Sequence, residues 1–205
     1  IMVLKAINDD GSGSYSNLAQ AIVFAADKGA HITNSSWEGA PSRIISKAFK
    51  YAYKRGLVNI SSAGNRNINA ETSTPAALEN TITVGAIEPL EDQRANFSNY
   101  GSVVNICAPG AYITTTLSAS SPKGNASRFV GDAPYQYWYV SGTSIASPHV
   151  AGVVALMLAK NPKLTNKDIR KLLIESSEHI ETDQNIGGLV NAGAAVAAAK
   201  NFKSY

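Results

Sequence analysis

The stretch Ser141–Gly152 reads SGTSIASPHVAG and sets the hydroxyl of Ser144 where it could act as a nucleophile. Proline is tolerated in a helix near its start, so Pro148 puts a helix N-terminus close to Ser144, and Gly142 frees the backbone for a tight entry. There the unpaired N–H groups and the macrodipole favour negative charge, as an attacking alkoxide and an oxyanion require. The simpler role for Thr143 or Ser144 is to cap the helix. His149 is the obvious partner base, and rotation excludes it: five residues of helix turn through about 500°, pointing its ring about 140° away from Ser144. His149 is therefore expected as a buried helical histidine packed against a sheet. His31 begins a strand and His179 follows a helix, so a base for Ser144 is expected outside this chain.

Two further turns could complete such a site. In ISSAGNRN a buried strand runs into Ala63-Gly64-Asn65, and an asparagine just past a strand's carboxyl end can aim its side-chain N–H2 at a developing oxyanion. An Asn after Gly is also a common turn residue. In TNSSWEG another strand ends at Ser36-Trp37-Glu38-Gly39, where Trp37 is either a core aromatic or a pocket wall and Glu38 is most simply a solvated turn carboxylate. The Gly-x-Gly of MVLKAINDDGSGSYSNLAQAI opens like a nucleotide-binding turn, but Ser16 stands where the third glycine belongs, so no nucleotide site is expected.

These turns need a scaffold, and the pattern supplies one. Short apolar runs at Met2–Ile7, Ala30–Ser35, Leu57–Ser62, Thr81–Ala86 and Val103–Cys107 read as strands buried on both faces. Helical patterns at Ser16–Lys28 and Ser42–Arg55, ended by Gly29 and Gly56, alternate with the first three. Such a βαβαβ run implies parallel strands with right-handed crossovers, hence an α/β fold. Thr116–Tyr135 reads as a polar surface excursion. Helices follow at Thr143–Lys160, Thr165–Ser176 with a capping-box start, and near Ala192–Ala199.

Composition narrows the function. The 205 residues suit one α/β domain, and hydrophobic content of 44% against 16% charged describes a globular protein. A net charge of +3 without a basic run gives no nucleic-acid track. No apolar stretch is expected to approach the roughly 18 residues of a membrane span, and the start IMVLKAIN lacks the flanks of a signal peptide. The single cysteine, Cys107, is expected as a small core residue. The first residues already read as a buried strand, as in the C-terminal part of something longer.

Together these residues resemble the subtilisin-like serine proteases, the subtilases. GTSIASPHVAG (Gly142–Gly152) resembles their nucleophile motif and SSAGN (Ser61–Asn65) their oxyanion-asparagine segment. VLKAINDDGSGSYSNLAQAIVFAADKGAHITNSSWEG resembles the substrate-strand region, and ANFSNYGSVVNICAPG the strand before the nucleophile. The resemblance covers about Val3–Ala199. It implies a three-layer, doubly wound sandwich with a mostly parallel sheet, whose N-terminal part lies outside this chain.

On that resemblance Ser144 would be the acylating nucleophile of an endopeptidase, and the Asn65 side chain would join the Ser144 N–H in the oxyanion hole. Ser36-Trp37-Glu38, with Gly39, and Ala63-Gly64 would pair with an extended peptide or protein substrate and wall the pocket for the residue before the scissile bond. The family usually has Gly where Glu38 stands, which suggests a pocket rim favouring basic or polar side chains. The motifs for the catalytic Asp and His are absent; both would precede Met2, in a segment cleaved, omitted or supplied as another chain. Asp9 and Asp10 match a later loop of the family and are given no role. A catalytically incompetent fragment binding peptides by strand addition is the alternative. Calcium is common in the family, but no carboxylate cluster here makes a convincing site, and no cofactor is assigned. Secretion is implied by resemblance alone.

Overall fold

Helix α1 (Tyr15–Asp27) starts where Ser14 Oγ accepts from the N–H of Asn17, and helix α2 (Arg43–Lys54) follows the extended residue Ser42. Both end in the left-handed glycines foreseen from sequence, Gly29 and Gly56. The N–H of Ala30 reaches the carbonyl of Ala25, and that of Leu57 the carbonyl of Ala52, so the last carbonyls of each helix are satisfied as the chain reverses into a strand. The computed structural model describes residues 1–116, 127–128 and 137–203, with backbone alone at 127–128. Most of the Thr116–Tyr135 excursion falls outside them.

The strands after these helices are β1 (Ile32–Ser35) and β2 (Val58–Ser62), followed by β3 (Ile82–Glu88), β4 (Gln93–Arg94) and β5 (Ile106–Pro109). A short β9 (Gly188–Leu189) completes a six-stranded sheet of order β1-β2-β3-β5-β9, parallel throughout, with β4 antiparallel to β3. Strands β6 (Ile113–Thr116), β7 (Ser127–Arg128) and β8 (Tyr137–Val140) form a separate antiparallel sheet. The other helices are α3 (Thr143–Lys160), α4 (Asn166–Glu175) and α5 (Ala192–Asn201). The Thr165–Asp168 capping box opens α4 as expected.

Alternation along β2 shows how the layers form. Val58 and Ile60 join Val150, Val154 and Met157 of α3 in the largest apolar cluster. Asn59 points to the opposite face, where its Nδ2 donates to the Phe49 carbonyl of α2 and its Oδ1 accepts from Thr33 of β1. Helices α1 and α2 build their own cluster around Leu18, Ile22, Ile45 and Phe49. Each buried Val, Leu or Ile contributes about 1.5–3 kcal/mol, so a charge at Val154, with no exposed surface, would break the α3 face.

Three expectations are corrected. Met2–Ile7 forms no strand: among the described residues it makes no backbone hydrogen bond, and Ile1 and Val3 are exposed, because no neighbouring strand offers it a ladder. Helix α3 is apolar and long enough by composition to cross a membrane, but its apolarity belongs to its packing against the sheet. His149 lies exposed, with Nδ1 against the Ile145 carbonyl at 2.9 Å, because it sits beside the buried row Ala146–Val150–Val153 rather than on it. Cys107 is buried as foreseen, and burial pushes its thiol up to about 12.

Candidate active site

The carboxyl ends of parallel strands are where α/β sheets present ligand-binding turns. Here β1 runs into Ser36–Gly39, β2 into Ala63–Asn65, and α3 begins at Thr143–Ser144 after Gly142. Thr143 ties two of these together. It has no exposed surface, its N–H and Oγ1 both donate to Asn65 Oδ1 at 2.8 and 2.9 Å, and its Oγ1 accepts from the N–H of Gly64 at 3.0 Å. The capping role expected of Thr143 or Ser144 is not found: the N-cap is Gly142, and the first helical N–H, that of Thr143, donates to the Asn65 side chain instead.

That brace orients the Asn65 amide. A backbone N–H can only donate, so the Asn65 atom facing Thr143 must be oxygen, and Nδ2 is turned to the other side. A Cβ added at Gly142 would lie 2.8 Å from Ser144 Oγ, 3.4 Å from Asn65 Nδ2 and 3.6 Å from the Ser144 nitrogen. The three groups therefore surround one spot, and Gly142 keeps it open. The N–H groups of Ile145 and Ala146 return to the Gly142 carbonyl, whereas that of Ser144 has no partner among the described residues. A half-buried hydroxyl beside a free backbone N–H and a side-chain amide N–H2 can combine nucleophilic attack with stabilisation of the resulting oxyanion.

Pro148 lies in the second turn of α3 and carries no N–H, so the Ser144 carbonyl loses its normal helical donor. Ser36 supplies a substitute. Its Oγ donates to the Ser144 carbonyl at 3.0 Å and lies 2.9 Å from Ser147 Oγ and from Asn34 Nδ2. The Ser36 side chain thus anchors the helix start to the end of β1 instead of facing outward.

The remaining positions divide by backbone use. Gly39 is bridged to Thr74 through both its N–H and its carbonyl, and Ala63 and Gly64 donate to Val84 and Thr143. The Ala63 and Gly64 carbonyls accept from the Asn99 side chain and backbone. Trp37 and Glu38, by contrast, make no backbone hydrogen bond among the described residues. The Ala63 and Gly64 donors expected to pair with a peptide are therefore already taken inside the chain, while the backbone of Trp37–Glu38 stays unpaired among the described residues. Trp37 is both core and wall: it meets Phe49 edge to face at 6.3 Å and lines a cavity of about 240 Å³ with Gly13, Tyr15 and Glu38. Glu38 is not solvated as a turn residue would be; its Oε1 accepts from Arg66, Ser73 and Asn99.

Sequence reasoning missed Asn99, which has no exposed surface. Its Oδ1 accepts from the N–H groups of Arg66 and Ile68, and its Nδ2 donates to Ala63, so it holds the whole Ala63–Ile68 turn. No spacing signals this, because the contact spans distant segments. Asp9 and Asp10 pair with Lys5 and Ser12 in an exposed loop. Among the described residues no group of His, Cys, Asp or Glu could hold a metal ion, and none of the histidines is hydrogen-bonded to Ser144.

A model of the subtilase family, Peptidase_S8, matches residues 1–196. The chain is 38% identical over 181 residues to the thermophilic serine proteinase of Bacillus sp. (strain AK1), across 88% of this chain and 40% of that protein. It is 34% identical over 197 residues to subtilisin Savinase of Lederbergia lenta, across 95% of this chain and 67% of that protein. A solved structure of a cold adapted subtilisin-like serine proteinase superposes with a TM-score of 0.80 at 29% identity, covering 91% of this chain and 64% of that one. The chain belongs to the subtilase family and has its α/β fold. It spans 40% of the Bacillus proteinase, less than half of its length.

Proposed function

We propose that this chain is the C-terminal portion of a single subtilase catalytic domain and carries the acylating half of a serine endopeptidase. Ser144 Oγ attacks the peptide carbonyl, the scissile C–N bond breaks as the amine half leaves with a proton from the general acid, and water hydrolyses the acyl-enzyme that remains. The oxyanion is held by the Ser144 N–H and Asn65 Nδ2. The proton of Ser144 goes to a histidine, oriented by an aspartate, in a segment preceding Ile1 or supplied as a separate chain. An extended peptide lies along the Trp37–Glu38 edge, its residue before the scissile bond between Ser36–Gly39 and Ala63–Asn65. Likeness to the bacterial subtilisins supports an action outside the cell; calcium is left unassigned.

The observation that carries the reading is the convergence of Ser144 Oγ, the Ser144 nitrogen and Asn65 Nδ2 on one spot beside Gly142. The same free edge also suits a fragment that binds peptides without cleaving them. Rapid acid quenching of the protein, extended to include its upstream residues, with a peptide ester separates the two. The proposal requires an acyl adduct on the peptide containing Ser144; saturable ester binding without adduct would favour the binding fragment.

A further inference from the structure

Glu38 reaches across the cleft between the two walls. From the end of β1 its Oε1 accepts from Arg66 Nε and Nη2 at 3.0 and 2.6 Å, from Ser73 Oγ at 3.0 Å and from Asn99 Nδ2 at 3.3 Å, all on the far side. Ser73 and Asn99 have no exposed surface, and the Glu38 side chain is 22% exposed, so the carboxylate is drawn inward onto buried donors. It also lies against Gly64: a Cβ there would fall 2.7 Å from Glu38 Cδ. The space between the walls is thus crossed by a side chain of this chain's own.

We infer that the Glu38–Arg66 pair is a strap that fills the pocket for the residue before the scissile bond and restricts it to small side chains. This rests on the endopeptidase reading and narrows its substrate class to peptides with Gly, Ala or Ser at that position. Swinging Glu38 out would leave buried donors on Ser73 and Asn99 unsatisfied, so a large substrate side chain does not displace it cheaply. A basic side chain gains little either, since Arg66 already matches the carboxylate and would repel a second cation. The structure therefore redirects the expectation of a basic or polar preference drawn from Glu38 alone.

The test is the cleavage profile of the protease with its upstream residues on peptides carrying Gly, Ala, Leu, Phe or Lys before the scissile bond. The strap predicts kcat/KM for Ala at least roughly tenfold above Phe and Lys, the scale on which pocket fit discriminates. Glu38→Gly should raise the Phe-to-Ala ratio by about the same factor. Glu38→Gln keeps the volume and should keep the exclusion of Phe, whereas a preference set by charge would shift. Wild-type preference for Phe, Leu or Lys overturns the strap. Should the Gly variant not fold, or turnover fail, calorimetric binding of product peptide acids ending in Ala or Phe decides it in the wild type. Tighter or equal binding of the Phe product overturns the strap, while absence of any acyl adduct on Ser144 strikes the endopeptidase reading instead.

Discussion

The two flanks of β1 and β2 are built in opposite ways. Toward α3, the turn Ala63–Asn65 is cross-braced by Thr143 and Asn99: the backbone groups of Ala63 and Gly64 and the Asn65 Oδ1 are paired inside the chain, and Asn65 Nδ2 is left open among the described residues. On the far side of β1, residues 1–7 make no backbone hydrogen bond among the described residues and border a cavity of about 720 Å³ lined by Ile1, Leu4, Ile22, Ile32 and Ala151. One flank is polar and fixed, the other apolar and loosely held. The lesson is that the groups proposed for attack and oxyanion binding are positioned independently of whatever supplies the base. The cost of preorganising them is met by hydrogen bonds within this chain.

Substitutions on the braced flank should therefore have catalytic effects, and changes elsewhere should register as stability. Ser144→Ala is expected to cost about 10⁶ in kcat in the protein with its upstream residues, a magnitude taken from subtilisin itself; steady-state hydrolysis of a peptide amide measures it. Asn65→Ala should cost about 10²–10³ in kcat with little change in KM, again the size known for a subtilisin. A loss below about threefold would remove Asn65 from the oxyanion site. Thr143→Val should lower kcat roughly tenfold by letting the Asn65 amide rotate, and leaves buried partners unpaired at about 1–3 kcal/mol. Thr143→Ser should restore most of both, which a purely packing role would not.

Amide exchange sharpens the comparison without catalysis. Residues 2–7 should exchange at nearly the open-chain rate, while β2 and α3 are protected to the level of global unfolding. The smallest effect lies at Arg94, only 6% exposed, which donates to Asn67 Oδ1 behind the Ala63–Ile68 turn, pairs with Asp183 and holds its carboxyl below the usual range. Because the folded value is depressed, that stabilisation is present above the ordinary carboxylate range and is lost as pH falls through the folded value. Asp183→Asn should therefore lower Tm slightly at neutral pH, with the difference vanishing in strong acid.

How much of this the sequence carried varies with the range of the interaction. The glycine-ended helices, the Thr165 capping box and α3 follow from local patterns, as does the placement of Ser144 at a helix start. Met2–Ile7 has the pattern of a strand but not the partner, and pattern alone cannot provide one. The Thr143 brace, the Ser36 bond that replaces the donor lost at Pro148, and the Asn99 clamp all join segments far apart in the chain. Glu38 misled for the same reason, since its partner Arg66 belongs to a different turn.

The most direct test is mass-mapped fluorophosphonate labelling of the protease with its upstream residues, in wild type and with His31, His149 and His179 replaced together by Gln. The account predicts one labelled serine, Ser144, with an unchanged rate in the histidine variant. Labelling at another serine, or a rate lowered by about a hundredfold or more when these histidines are removed, would contradict it.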